Sequence, residues 1–364
     1  MFEKTTLKNG LRILTVPMKN TKTLTVLVLV AAGSRYEREN TNGLSHFLEH
    51  MFFKGSRKRP STLELAGALD RVGGAYNAFT GKEHTGFWAK TTAEHGELAL
   101  DWLSDLVLHP LFREEDIEKE KGVIIEEIKM HRDTPLSYVA DLWEEVLYGN
   151  QPAGWLIIGK EKNINRFKKE DVYSYFKSQY SPKNTVVCLA GKIDDKIFEK
   201  AKNYFEEFEK SEPGKKEKVQ ERQERPNLLL SYKETDQTHL CLGVRGFDMF
   251  DKRRYAQLIL ATILGGNMSS RLFITIRVKE GLAYYVHTSA ETYTDTGYLV
   301  TQAGVAHKNV KKTISLILKE YRRIGEGKIS QTEIRKAKDY IKGSTVLSLE
   351  TSEKKASFFA FSSL

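Results

Sequence analysis

Ser45-His46-Phe47-Leu48-Glu49-His50-Met51 is the stretch around which the rest of the sequence is organised. Thr41 and Asn42 ahead of it are good helix N-caps and no proline interrupts Gly43 to Phe53, so that segment is expected to be a helix. At about 100° per residue, His46 and His50 lie within about 40° of each other on that helix, with Glu49 just to the side. Two imidazoles one turn apart can grip one metal ion, and a carboxylate between them can deprotonate a water bound to that metal. Histidines on helices are also commonly packed or solvated, so a metal site needs a third ligand from elsewhere in the chain.

A Glu-rich segment offers one. Glu114 to Arg132 carries Ile117, Ile124 and Ile128 on one stripe and is expected to be an amphipathic helix. Glu126 points about 180° away from that stripe, whereas Glu120 and Glu127 sit about 20° apart on its flank. That makes Glu127 the better ligand. Glu120, one or two turns below it, becomes a carboxylate that orients a ligand or the water.

The pair of motifs resembles a known family. His46-x-x-Glu49-His50, followed 127 − 50 = 77 positions later by Glu127, is similar to the pitrilysin and insulinase zinc peptidases, whose motif order is that of the inverzincins. The likeness extends to Gly43-Leu44-Ser45, Met51-Phe52-Phe53-Lys54-Gly55 and Asp133-Thr134-Pro135, and covers nearly the whole chain. It is closest to the shorter, two-domain members related to the mitochondrial processing peptidase. The resemblance implies a zinc-dependent endopeptidase with one zinc ion per chain, held by His46, His50 and Glu127, and Glu49 as base.

Length and composition agree with that reading. A chain of 364 residues is expected to hold two cores, and 40% hydrophobic with 29% charged residues is an ordinary soluble composition. The longest apolar run, Leu24 to Ala32, is too short for a membrane span, and no signal peptide is visible, so a cytoplasmic location is expected. Cys188 and Cys241 read as buried packing residues in a reducing compartment. The net charge of +9 raises nucleic acid as a partner. The dense run Lys210 to Arg225 alternates in sign, however, and no basic helix face, zinc-finger spacing or phosphate loop accompanies it. Nucleic-acid and membrane partners are therefore set aside.

Strands, then helices, then a strand argue for an α+β fold rather than a doubly wound sheet. Asn9-Gly10 turns a first hairpin, and Gly74 to Thr80 pairs with Thr85 to Thr91. The order recurs after residue 226, with strands at Leu228–Tyr232, His239–Arg245, Leu282–Glu291 and Gly297–Ala303 and a helix at Ser269–Val278. Gly281-Leu-Ala-Tyr284 echoes Gly74-Ala-Tyr76. Two homologous α/β-sandwich domains are therefore expected: 1–209 catalytic, 210–226 a charged linker, and 227–364 a pseudo-repeat without the metal motif. Relatives usually continue past Thr345 to Glu353 with more helices and a strand, so the second domain is expected to be shortened at its C-terminus.

Further site residues are expected. The edge strand from Gly74 to Thr80 suits an extended peptide adding as a strand, with Asn77 bridging its backbone; the resemblance supports Asn77 and Ala78. The resemblance also implies that Arg277 and Tyr284, presented from the non-catalytic half, act on the carbonyl oxygen across the interface of a homodimer or a heterodimer with a related subunit. Two functions stay open: an endopeptidase cutting peptides or unfolded polypeptides, and a non-catalytic scaffold or partner subunit. His84, His95, His109 and His131 fall outside the motif spacing and are left as structural or solvated.

Overall fold

Thr23-Leu-Thr-Val-Leu-Val-Leu-Val30 is apolar at both odd and even positions, so as a strand it needs cover on both faces. The computed structural model, which describes residues 2–364, supplies that cover from distant parts of the chain. The strands are β1 (Glu3–Thr6), β2 (Arg12–Pro17), β3 (Thr23–Val30), β4 (Ala75–Thr80), β5 (Thr85–Thr92), β6 (Thr185–Gly191), β7 (Thr238–Arg245), β8 (Ala283–Thr292) and β9 (Gly297–Val305). The helices are α1 (Leu44–Phe52), α2 (Thr62–Asp70), α3 (Gly96–Leu108), α4 (Glu114–Arg132), α5 (Pro135–Tyr148), α6 (Glu161–Ile164), α7 (Lys169–Gln179), α8 (Asp195–Glu206), α9 (Arg254–Gly265), α10 (Val310–Gly325), α11 (Gln331–Ser348) and α12 (Ser352–Phe361).

Two compact units emerge, and neither is one continuous segment. The first takes the chain up to Ile128 with Trp155–Glu217 and Ser348–Leu364; the second takes Lys129–Gly154 and Lys218–Leu347. The division at 1–209, 210–226 and 227–364 expected from the sequence follows chain order, whereas these units exchange helices: α5 packs in the second and α12 in the first.

The first unit holds a six-stranded sheet in the order β1-β2-β6-β3-β5-β4, antiparallel except for β2 beside β6. On one face Leu24, Val26, Val28 and Val30 join Phe47, Leu48, Met51 and Phe52 of α1, Trp102 of α3 and Ile117, Ile124 and Ile128 of α4. On the other face Leu27 and Leu29, with Leu14, Val16, Val186 and Cys188, lie under Ala356 and Ala360 of α12. The alanines let that helix come close, and the Thr25 and Ser352 hydroxyls hydrogen-bond at 2.8 Å. The Phe-rich end of the chain thus closes the first core rather than the second. Each fully buried large side chain contributes about 1.5–3 kcal/mol.

The second unit holds an antiparallel sheet β7-β9-β8, the same order as β3-β5-β4 in the first. One face packs on α9, α10 and the helical turns at Phe273–Lys279 through Leu264, Ile276, Val286, Leu299 and Ile317. The other meets α5 through Trp143, Leu147 and Tyr148 against Val300 and Tyr298. Two expectations are corrected here. Leu228 to Tyr232 is not a strand: it pairs with nothing among the described residues, and Leu230 is 82% exposed. The apolar residues that suggested a strand lie in solvent, and a strand without a neighbour has no ladder to hold it. The helix expected at Ser269–Val278 is largely a π-helix, Phe273–Lys279, with its wide turn closed by Glu280 N–H donating to Thr275 O at 3.2 Å.

Candidate metal centre

The helix that carries the motif starts from an unusual cap. Gly43, rather than Thr41 or Asn42, is the N-cap, in the left-handed region at φ 106°. A side chain there would meet Gly159 Cα and Ile158 O at 3.1 Å. The first amides of α1 are satisfied from outside by Glu37, whose Oε2 accepts the Gly43 N–H at 2.8 Å and whose Oε1 accepts the Ser45 N–H at 2.6 Å. Asn42 spends its side chain on Glu37 Oε2 (3.0 Å) and Leu156 O (2.9 Å). Ser45 Oγ lies 2.7 Å from the buried Tyr175 hydroxyl. His46 follows this anchor directly, and His50 lies one turn further along α1.

Burial pushes the Glu37 carboxyl up to about 7, against hydrogen bonds from Ser45, Gly43 and Asn42 that favour its charged form. A carboxyl raised on folding contributes stability that is fully present below about pH 4.5 and lost as pH rises through about 7. Denaturant titrations of Glu37→Gln are therefore expected to lack a fall of roughly 3 kcal/mol that the wild type shows across that window. The slope against pH is the readout, because the amide nitrogen also forfeits an accepted bond and lowers the absolute stability.

His46 and His50 stack edge-on with ring centroids 4.6 Å apart, and both turn Nε2 toward Glu127. His46 Nε2 is 3.6 Å from Glu127 Oε1 and His50 Nε2 is 3.4 Å from Glu127 Oε2. One donor atom from each residue lies within 4.8 Å of the others. Around a tetrahedral zinc with ligand bonds of about 2.0–2.2 Å, donors stand roughly 3.3–3.6 Å apart. The two histidine–Glu127 spacings fit a shared ion, and the donor types are those zinc takes.

Glu120, nearly buried at 4% side-chain exposure, accepts from His50 Nδ1 at 2.8 Å and is ion-paired to Lys54. It fixes which nitrogen of His50 faces Glu127. Burial opposes a charge on His50, but hydrogen bonds to Glu120 and Glu127 outweigh it and push the imidazole up to about 9. The same two histidines hold Glu127 well below the usual carboxylate range. The pocket gathers positive charge, which a cation can supply in place of a proton. His46 Nδ1 is buried with no partner among the described residues, so its ring lacks the brace that Glu120 gives His50.

Glu49, on the flank of α1, accepts from Thr80 Oγ1 at 2.5 Å. Glu126 is exposed on the far side of α4. On the edge strand β4, Asn77 is exposed and its Oδ1 accepts the Ala78 N–H at 2.9 Å, while Ala78 is buried. Gly74 serves the fold itself: a Cβ there would meet Leu69 and Thr91 at 3.2 Å. In the second unit, Arg277 sits within the π-helix, its guanidinium 5.0 Å from the Phe273 ring centroid and 5.5 Å from that of Tyr284, whose side chain is 76% exposed.

Sequence reasoning missed Glu37, Lys54 and Thr80. Lys54 had a signal, since it follows His50 by only four residues, in the turn just past the end of α1. Glu37 caps amides six and eight residues on, beyond the spacing of an ordinary N-cap, and Thr80 reaches Glu49 only through the tertiary fold.

Residues 12–160 match the insulinase family, peptidase family M16, and residues 166–341 match the peptidase M16 inactive domain. The chain belongs to the insulinase family. This family includes YmxG of Bacillus subtilis, named an uncharacterized zinc protease, 37% identical over 98% of this chain and 87% of its own length. A Rickettsia felis relative with the same description is 34% identical, covering 96% and 84%. Among solved structures, a Helicobacter pylori protease superposes with a TM-score of 0.92 at 26% identity, over 99% of this chain and 88% of that one. A Pseudomonas fluorescens peptidase M16 inactive domain, at 18% identity and TM-score 0.88, shares the fold. The two-domain insulinase-family fold expected from the motifs is therefore the fold of this chain. Among the described residues no helix is long and apolar enough to cross a membrane.

Proposed function

We propose that this chain is a zinc-dependent endopeptidase. The observation that carries the reading is the convergence of His46, His50 and Glu127 at ligand spacing, beside a carboxylate, Glu49, on the same helix as the two imidazoles. The names of the relatives support zinc as the ion. When bound there, zinc supplies a Lewis acid that acidifies water and polarises an amide carbonyl. Glu49 takes the proton of the attacking water and delivers it to the leaving amine. Glu120 keeps His50 in the tautomer that presents Nε2. The open edge of β4, with Gly74, Asn77 and Ala78, takes the peptide as an added strand through main-chain hydrogen bonds.

Arg277 and Tyr284 are proposed as donors to the developing oxyanion, supplied by the second chain of a dimer. Chains carrying Arg277→Ala and chains carrying Glu49→Gln are then each weak alone. Mixed, they are expected to recover turnover of a quenched fluorescent peptide above either alone; a mixture no better than its parts argues against donation in trans. The function itself is tested with the same peptide and zinc-loaded wild-type chain. Turnover that disappears in Glu49→Gln supports it, and retained zinc without Glu49-dependent turnover favours the scaffold reading.

A further inference from the structure

We infer that Thr80 is the positioning residue of Glu49, a role that rests on the proposed peptidase reading. A glutamate side chain has three rotatable bonds, and as a base it needs one oxygen aimed at the water while the other stays out of the way. Thr80 Oγ1 donates to Glu49 Oε2, so one oxygen is engaged and Oε1 is left to accept a proton. A hydroxyl has a single proton to give, and the Cβ branch of threonine limits its χ1, which suits it to holding one carboxylate oxygen in one direction.

The strand end that presents this hydroxyl is fixed. Thr80 is opposite Thr85, whose Oγ1 donates to Ala32 O at 2.9 Å. The next residue, Gly81, donates to His84 O at 2.7 Å, which closes the turn. The turn is then held from outside, since Ser34 N–H donates to Gly81 O at 3.2 Å and Arg35 N–H to Lys82 O at 2.8 Å. Beneath it the buried Arg35 guanidinium is ion-paired to Glu83, which Lys216 also approaches at 3.4 Å. Thr80 therefore hangs from a pinned hairpin, not from a mobile edge. It lies on β4, the strand whose open edge is proposed to receive the peptide, so one strand registers the substrate and aims the base.

The test compares Thr80→Val, which keeps the shape and removes the donor, with Thr80→Ser, which keeps the donor, in full-length chain loaded with one zinc. Thr80→Val is expected to lower kcat roughly tenfold at unchanged KM, zinc content and Tm, and Thr80→Ser to return kcat to within about twofold of wild type. In crystals, the Glu49 carboxylate is expected in one rotamer in wild type and Thr80→Ser, and spread over several in Thr80→Val. An unchanged kcat in Thr80→Val, a serine variant as slow as the valine one, or a rise in KM alone overturns the role. If Thr80→Val does not fold, Thr80→Ser and Thr80→Cys decide: activity that does not follow donor strength overturns it as well. A wild-type chain with no Glu49-dependent turnover overturns the peptidase reading and this role with it. Turnover that depends on Glu49 but is indifferent to Thr80 overturns this role alone.

Discussion

Glu49→Gln is expected to lower kcat for peptide cleavage by about 10²- to 10⁴-fold, the range that a positioned acid–base group contributes. The amide is nearly isosteric, can still accept from Thr80 Oγ1, and leaves His46, His50 and Glu127 in place, so zinc content is expected to stay near one per chain. It cannot, however, take up the proton of water at neutral pH. Because α1 is anchored at its start by Glu37 and packed along its buried face, little else should move, and KM is expected to change little. Stopped or steady-state fluorescence of a quenched peptide reads kcat and KM; metal analysis of the same sample reads the zinc. A variant that loses both turnover and zinc would place Glu49 among the ligands instead.

Glu127→Gln is the second large effect. The two oxygens of Glu127 face Nε2 of His46 and of His50, and the histidines hold that carboxyl ionised far below the usual range. Replacing it with a neutral amide removes the charged member of the proposed three-ligand set. The loss in zinc affinity is expected to exceed the ~10- to 100-fold that outer partners of a metal site contribute. Glu126→Gln, one residue away and exposed on the other side of α4, is expected to bind zinc as the wild type does. Competition against a chromophoric chelator measures both. Equal affinities in the two variants contradict the ligand assignment.

The candidate metal centre was legible in the sequence because its three residues follow helical periodicity. His46 and His50 are one turn apart, and the stripe of Ile117, Ile124 and Ile128 fixes which glutamates of α4 face inward. Its support was harder to read. Glu49 and Thr80 are 31 positions apart and meet only because β4 ends beside α1, a juxtaposition that no local period encodes. The same limit explains the helices that changed units. Amphipathic patterns say that α5 and the end of the chain have a buried face, but not which sheet each covers. The deciding features are the two apolar faces of β3 and the small Ala356 and Ala360, which fit its back. At Leu228 to Tyr232 the pattern misled, since a run of leucines states hydrophobicity but not the presence of a neighbouring strand.

The most direct measurement is anomalous diffraction on either side of the zinc absorption edge, from crystals of the chain grown with stoichiometric zinc. The predicted result is a single peak, bonded to His46 Nε2, His50 Nε2 and a Glu127 oxygen, with Glu120 on His50 Nδ1 and not on the ion. A peak bound elsewhere, or one that takes Glu120 or Glu126 in place of Glu127, contradicts it.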